Sequence, residues 1–219
     1  MSRQHTLPSD KLIADVARQS RRSQYRLHGA SDRSGQRKGR DPGGFVPMVD
    51  RIIMAAGATT GIGNVTPSAE FNMHFDPLSA QTVFRSATTK SLIPLEIARE
   101  LSFGFELVDK LPPKYTKVGA VLGEIVPHFC RSARQQLGQE TIHLHAVLPI
   151  LMLAEPMLFE WEEMAGDVEV GGELSRGTTI FDRRSPRQWR QNMEVAISID
   201  KSAAYDAFYN CLKYAAHDS

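Results

Sequence analysis

Apolar positions along this chain change spacing several times, and each change predicts an element. Leu12, Ile13, Val16 and Ala17 follow a capping Ser9 at three- and four-residue intervals, which predicts a short amphipathic helix over 9–18. From 19 to 44 the periodicity vanishes. Only Tyr25 and Leu27 are large and apolar there among Arg, Ser, Gly, Gln and Asp, a composition that predicts an unpacked, mobile segment. Patterning resumes at Phe45, and Val49, Ile52, Ile53 and Met54 read as the approach to a buried strand. Asp76 followed by Pro77 opens a capped helix reaching Phe84, and 91–95 reads as a second core strand. Helical spacing runs through Val118, Val121, Leu122, Ile125, Val126, Phe129 and Leu137, with Pro127 expected to kink or break it. An apolar helix over 145–154, strands near 168–170 and 193–199 and a closing helix over 202–214 complete the reading. Strands alternating with helices predict an α/β fold.

Composition changes this picture little. At 219 residues, with 42% hydrophobic and 23% charged side chains, the chain is long enough for one domain with a substantial core. The boundaries expected are 1–46, a helix plus a basic disordered segment, and 47–219, the α/β domain. Cys130 and Cys211 fit no metal or redox spacing and read as buried reduced thiols. No apolar run reaches the length of a signal-peptide core or a membrane helix, so a cytoplasmic location is expected. The net charge of +1 conceals a +6 segment over 21–40, where seven basic residues face Asp32 alone. Such a run can neutralise phosphates, but it lacks aromatic interleaving beyond Tyr25, and nucleic acid is not expected as a partner.

The candidate chemistry lies just after the predicted strand that ends near Met54. Over 63–72 the chain reads Gly-Asn-Val-Thr-Pro-Ser-Ala-Glu-Phe-Asn, gathering the carboxamides of Asn64 and Asn72 and the carboxylate of Glu70. An amide that can donate and accept at once suits a vicinal diol. Equally, asparagines after a strand often satisfy turn backbone groups.

These ten residues resemble the ribose-binding loop of the inosine-uridine-preferring nucleoside hydrolases, which reads G-N-x-T-P-x-A-E-F-N. The resemblance extends to 53–58, similar to I-x-M-G-G-A, to 70–77, similar to E-F-N-x-x-x-D-P, and to 172–184, similar to G-x-L-T-R-G-x-T-x-x-D-x-R. It covers the chain from about Pro47 onward. What it implies is a three-layer, Rossmann-like α/β fold with a mixed sheet, here lacking the N-terminal strands. It implies that Asn64 and Glu70 hold the ribose 5′-hydroxyl, that Asn72 holds the 2′- and 3′-hydroxyls, and that Met54 lies beneath the sugar. His145 aligns with the histidine that protonates the departing base. The family reaction is hydrolysis of the N-glycosidic bond of purine or pyrimidine ribonucleosides, part of base salvage, with Ca2+ as cofactor. A ribonucleoside is the partner implied, and self-assembly as a homo-oligomer is left open.

The departures from the family pattern concern the metal. In the family an aspartate that binds Ca2+ follows the histidine directly, and here that position is Ala146. The D-x-D-P-G-x-D-D loop, which supplies further aspartates and the carboxylate that activates water, has no counterpart in these 219 residues. A hard cation needs several oxygen ligands, so this chain is expected to bind no Ca2+ and to be inactive as it stands. A non-catalytic ribose-binding or assembly module is the alternative. The family's G-P-L-T-[ND]-L-A motif is also missing before Pro47. Reread one nucleotide later with free third bases, the codons of 28–36 can spell Thr-Gly-Pro-Leu-Thr-Asp-Leu-Ala, so we hypothesise paired frame changes around 21–40. A gene sequence whose third bases forbid that reading removes the hypothesis.

Overall fold

The computed structural model describes residues 23–27 and 49–217. In chain order its elements are β1 (Ser23–Leu27), β2 (Val49–Ala55), α1 (Phe71–Phe75), α2 (Pro77–Phe84), β3 (Thr89–Ile93), α3 (Leu95–Glu100) and β4 (Ser102–Phe103). Next come α4 (Lys117–Leu137), β5 (Ile142–His143), α5 (Leu148–Ala154), β6 (Phe159–Met164), β7 (Gly166–Val168), β8 (Thr179–Phe181), β9 (Met193–Ile199) and α6 (Lys201–His217). The chain forms two compact units. Among the described residues, one takes those up to Leu95 with Trp161–Ala196, and the other takes Glu96–Glu160 with those from Ile197. The chain passes between the units at 95/96, 160/161 and 196/197. The expected helix over 9–18 lies outside the described residues.

In the first unit the strand order is β1-β2-β3-β9-β6, with β1, β2, β3 and β9 paired in parallel. Parallel strands covered on both faces need continuous apolar runs, and β2 obeys this with Ile52, Ile53 and Met54 all buried. Around them Met73, Val83, Phe84, Leu92, Val168 and Val195 close the core. One expectation is corrected here. Within 19–44, read as unpacked, Ser23–Leu27 is a strand, because a backbone ladder to a buried neighbour needs no helical or core periodicity in the paired segment. A polar network crosses the same sheet: Arg51 donates to Ser91 Oγ at 2.9 Å and to Glu194 Oε1, and Ser91 donates to Glu194 Oε1 at 2.5 Å.

Helix α2 forms as read. Asp76 Oδ1 accepts from Ser79 N at 3.0 Å and Pro77 occupies the first turn, where its missing N–H costs nothing.

In the second unit α4 runs unbroken through Pro127 for 21 residues, so of the expected kink or break the break does not occur. Proline deletes one ladder bond, while Thr116 caps the N-terminus, Gly138 closes the C-terminus in the left-handed conformation, and Gly119, Val126, Cys130 and Ala133 are buried. Those contributions outweigh one missing bond. Helix α6 seats Phe208 at 4.7 Å and Tyr205 at 5.3 Å between ring centroids from Phe103, and Tyr205 Oη donates to Ser102 O at 2.6 Å. Cys130 is buried as expected, whereas Cys211 is exposed on α6. Among the described residues no helix is long and apolar enough to cross a membrane.

Candidate functional site

The sugar-loop residues all belong to the first unit, and the loop is built on its own backbone. Gly63 N donates to Pro67 O at 3.0 Å, and the N–H groups of Asn64, Val65 and Thr66 converge on Ala69 O at 3.2, 3.3 and 3.4 Å. Ala69 N in return donates to Thr66 Oγ1 at 2.9 Å. So tight a turn leaves no room at Gly63, where a Cβ would lie 2.2 Å from the carbonyl oxygens of both Thr66 and Ala69.

Glu70 follows the turn as the N-cap of α1. It is 3% exposed, and its Oε2 accepts from Gly57 N at 3.0 Å, Asn72 N at 3.0 Å and Met73 N at 3.3 Å. All three bonds fall on one oxygen. Oε1 receives no hydrogen bond among the described residues, so a buried carboxylate oxygen is held in a fixed orientation with its accepting capacity unused. Burial pushes the Glu70 carboxyl above its ordinary value, and the bonds from Gly57, Asn72 and Met73 oppose that rise without cancelling it.

The carboxamides divide their capacity in the same way. Asn64 Oδ1 accepts from Phe71 N at 2.9 Å, which leaves its Nδ2 donors free among the described residues. Asn72 Nδ2 donates to Ala55 O at 3.2 Å, which leaves its Oδ1 as an acceptor. Each amide therefore satisfies a backbone group with one end and leaves the other without a partner among the described residues. Together the loop offers a donor, a carboxylate acceptor and an amide acceptor within nine residues. Met54, expected beneath the sugar, is 1% exposed and belongs to the core cluster. It has almost no surface to lend to a ligand.

Sequence reasoning matched the 172–184 segment to its motif without assigning it a task. In the structure it clamps the loop. Ser68 Oγ donates to Leu174 O at 3.0 Å, Thr178 Oγ1 donates to Ser68 Oγ at 2.9 Å, and His74 Nδ1 lies 3.0 Å from Arg176 O. Thr179 and Ala58 exchange two bonds, Ala58 N to Thr179 Oγ1 at 2.9 Å and Thr179 Oγ1 to Ala58 O at 2.6 Å. Asp182, side chain buried, takes Arg184 in a fork and the N–H groups of Gln188 and Trp189. Arg184 first, and then those N–H groups, hold its carboxyl well below the usual carboxylate range despite its burial.

His145 belongs to the second unit, in a 3-10 turn just before α5. Its ring centroid is 6.2 Å from that of His143, whose Nδ1 lies 3.2 Å from Leu101 O. Burial first, then the charges of His143 and Arg99, lower the His145 pKa to about 4. The imidazole is therefore neutral at pH 7, with one N–H and one bare nitrogen. A depressed histidine pKa contributes stability above the unfolded value of 6.5 and loses it as pH falls towards 4, because the unfolded chain takes up the proton first. Replacing His145 by Gln is expected to flatten the fall in stability across that window, as measured by urea unfolding at stepped pH.

The divalent metal implied by the resemblance does not fit the donors present. Ala146, exposed next to His145, offers only a methyl group. Among the described residues no three His, Cys, Asp or Glu side chains gather into a group able to hold a metal ion.

Comparison with known proteins places these residues in context. Residues 40–206 match the family model described as inosine-uridine preferring nucleoside hydrolase. The non-specific ribonucleoside hydrolase RihC of Salmonella enteritidis PT4 is 31% identical over 150 residues, 68% of this chain and 47% of the relative. The chain thus spans about half the length of the curated relatives it matches. Among solved structures, a plant nucleoside hydrolase superposes with a TM-score of 0.83 at 19% identity, covering 97% of this chain and 69% of the other. A purine-preferring ribonucleoside hydrolase from Gardnerella vaginalis gives 0.82 at 20% identity, covering 98% and 68%. The fold expected from the sequence, α/β with a mixed sheet and like the nucleoside hydrolases, is the fold observed.

Proposed function

The chain belongs to the inosine-uridine preferring nucleoside hydrolase family, and from that premise we propose that it is a nucleoside-binding module that retains the ribose grip without the means to hydrolyse. The observation that supports this most strongly is the fixed, half-satisfied Glu70 carboxylate, with Oε2 committed to three N–H groups and Oε1 open. A sugar hydroxyl donating to Oε1 would complete the shell of a buried charge. The free Nδ2 of Asn64 would donate to the same hydroxyl oxygen, and Asn72 Oδ1 would accept from the vicinal pair. These bonds bind and orient the sugar, because each partner is already held by the backbone before the ligand arrives.

Hydrolysis makes a further demand, an activated water. In the family the metal, held by aspartates, supplies it by lowering the pKa of a bound water. This chain has Ala146 at one of those positions and no D-x-D-P-G-x-D-D loop. His145, the residue assigned by resemblance to the departing base, is neutral above about pH 4 and at pH 7 can offer one ring N–H in place of an imidazolium.

Calorimetric titration with ribose, inosine and uridine tests the reading. Heat that saturates at millimolar ligand or below is the expected result. A flat titration with correctly folded protein removes it and leaves an inert relative of the hydrolases.

A further inference from the structure

Resting on the sugar-site reading above, we propose that Thr179 is a positioning residue for that site: it touches no ligand and sets the aim of Glu70 by locking the Gly57–Ala58 turn. The hydroxyl of Thr179 is buried and serves one partner residue as both donor and acceptor, donating to Ala58 O at 2.6 Å and accepting from Ala58 N at 2.9 Å. The Ala58 N–H belongs to the peptide plane that follows Gly57, and the Ala58 carbonyl belongs to the next plane. One side chain therefore fixes two successive peptides, and neither can rotate without breaking a buried bond.

The locked turn is the one that holds the carboxylate. Gly57 N, one peptide upstream, donates to Glu70 Oε2 at 3.0 Å, and Gly57 O accepts from Leu95 N at 2.9 Å. Gly57 has φ +69, a conformation that glycine adopts freely, and a Cβ there would lie 2.8 Å from Thr179 Cγ2. The two branches of Thr179 thus have separate tasks, the methyl packing over the Gly57 backbone and the hydroxyl pinning Ala58. With Gly57 held, Oε2 is committed to three N–H groups and Oε1 is left without a hydrogen bond among the described residues. With the turn released, the Gly57 bond weakens and the carboxylate can rotate about its terminal torsion, which is intrinsically broad.

The experiment pairs two substitutions with two ligands. Thr179→Val keeps the branched shape and removes the hydroxyl, and Thr179→Ser keeps the hydroxyl and removes the methyl. Each is titrated with inosine and with 5′-deoxyinosine at a temperature where unfolding of every variant is negligible. The expected result is that Thr179→Val weakens inosine about tenfold, the worth of one well-placed hydrogen bond. It leaves 5′-deoxyinosine unchanged, because the lost aim concerns the 5′-hydroxyl alone, and Thr179→Ser binds both like the parent. Equal weakening of both ligands, or no weakening of either, overturns the positioning role while leaving the sugar site intact. Failure of the parent protein to bind either ligand overturns the sugar site, and the role of Thr179 falls with it.

Discussion

Incubated with inosine or uridine in the presence of Ca2+, the 219-residue chain is expected to release no ribose above the buffer rate, whether or not a chelator is added. Enzymatic acceleration over the uncatalysed reaction is typically at least about a millionfold. A bound metal that brings the pKa of water from about 15.7 to about 7 is a large share of such a gain. A grip on the sugar cannot replace it, because binding the ground state and the transition state equally leaves the barrier unchanged. The donor inventory also argues against a rebuilt site. His143 and His145 are close together, yet the next side chain is the methyl of Ala146, and no third ligand gathers there among the described residues. A reducing-sugar assay checks the expectation. Chelator-sensitive ribose release that saturates with substrate would overturn it.

Glu70→Ala is expected to cost about 2–4 kcal/mol of unfolding free energy, since it strands the buried N–H groups of Gly57 and Met73, half-strands that of Asn72, and leaves a cavity. Glu70→Gln separates this structural task from ligand binding. An amide oxygen can accept the same three bonds, so most of the stability should survive, while an NH2 group at the Oε1 position should weaken ribose by about tenfold or more. The pH dependence supplies a second signature. The folded carboxyl is raised above its unfolded value, so its stability contribution is fully present below the unfolded value and is lost as pH rises through the folded one. Glu70→Gln removes the titrating group and with it that loss. Denaturant unfolding at stepped pH, together with calorimetry, reads both effects. A Glu70→Ala protein as stable as its parent would show that the three N–H groups do not depend on the carboxylate.

The candidate site was legible in the sequence where its bonds are short-range. Glu70 caps the helix that begins at the next residue, Asn64 reaches seven residues forward to Phe71, and Asp76 caps α2 three residues on. Such pairings are written in residue type and spacing, which is why 63–72 could be matched to a sugar loop and Asn64, Glu70 and Asn72 singled out. The continuity of α4 through Pro127 was not legible for the complementary reason. The local cost of the proline is readable from one residue, whereas the packing that carries α4 past it is contributed by Val126, Cys130 and Ala133 and by whatever covers them. The strand Ser23–Leu27 was missed because its order comes from the ladder to β2, which local composition does not report.

By itself the chain's order of residues determined the family and the alternating α/β character and singled out the candidate side chains of 63–72, because capping, turn chemistry and core periodicity act over a few residues at a time. Only the tertiary structure decided that 172–184 clamps that loop. The Ala58–Thr179 exchange spans 121 residues and the Ser68–Leu174 bond 106, contacts that exist only once folding has brought distant segments side by side. It alone decided which oxygen of Glu70 stays open and that Met54 lies within the core, since both depend on where neighbouring backbone arrives in space. Sequence carries the donors and acceptors, and folding decides which are spent on the protein and which remain for a ligand.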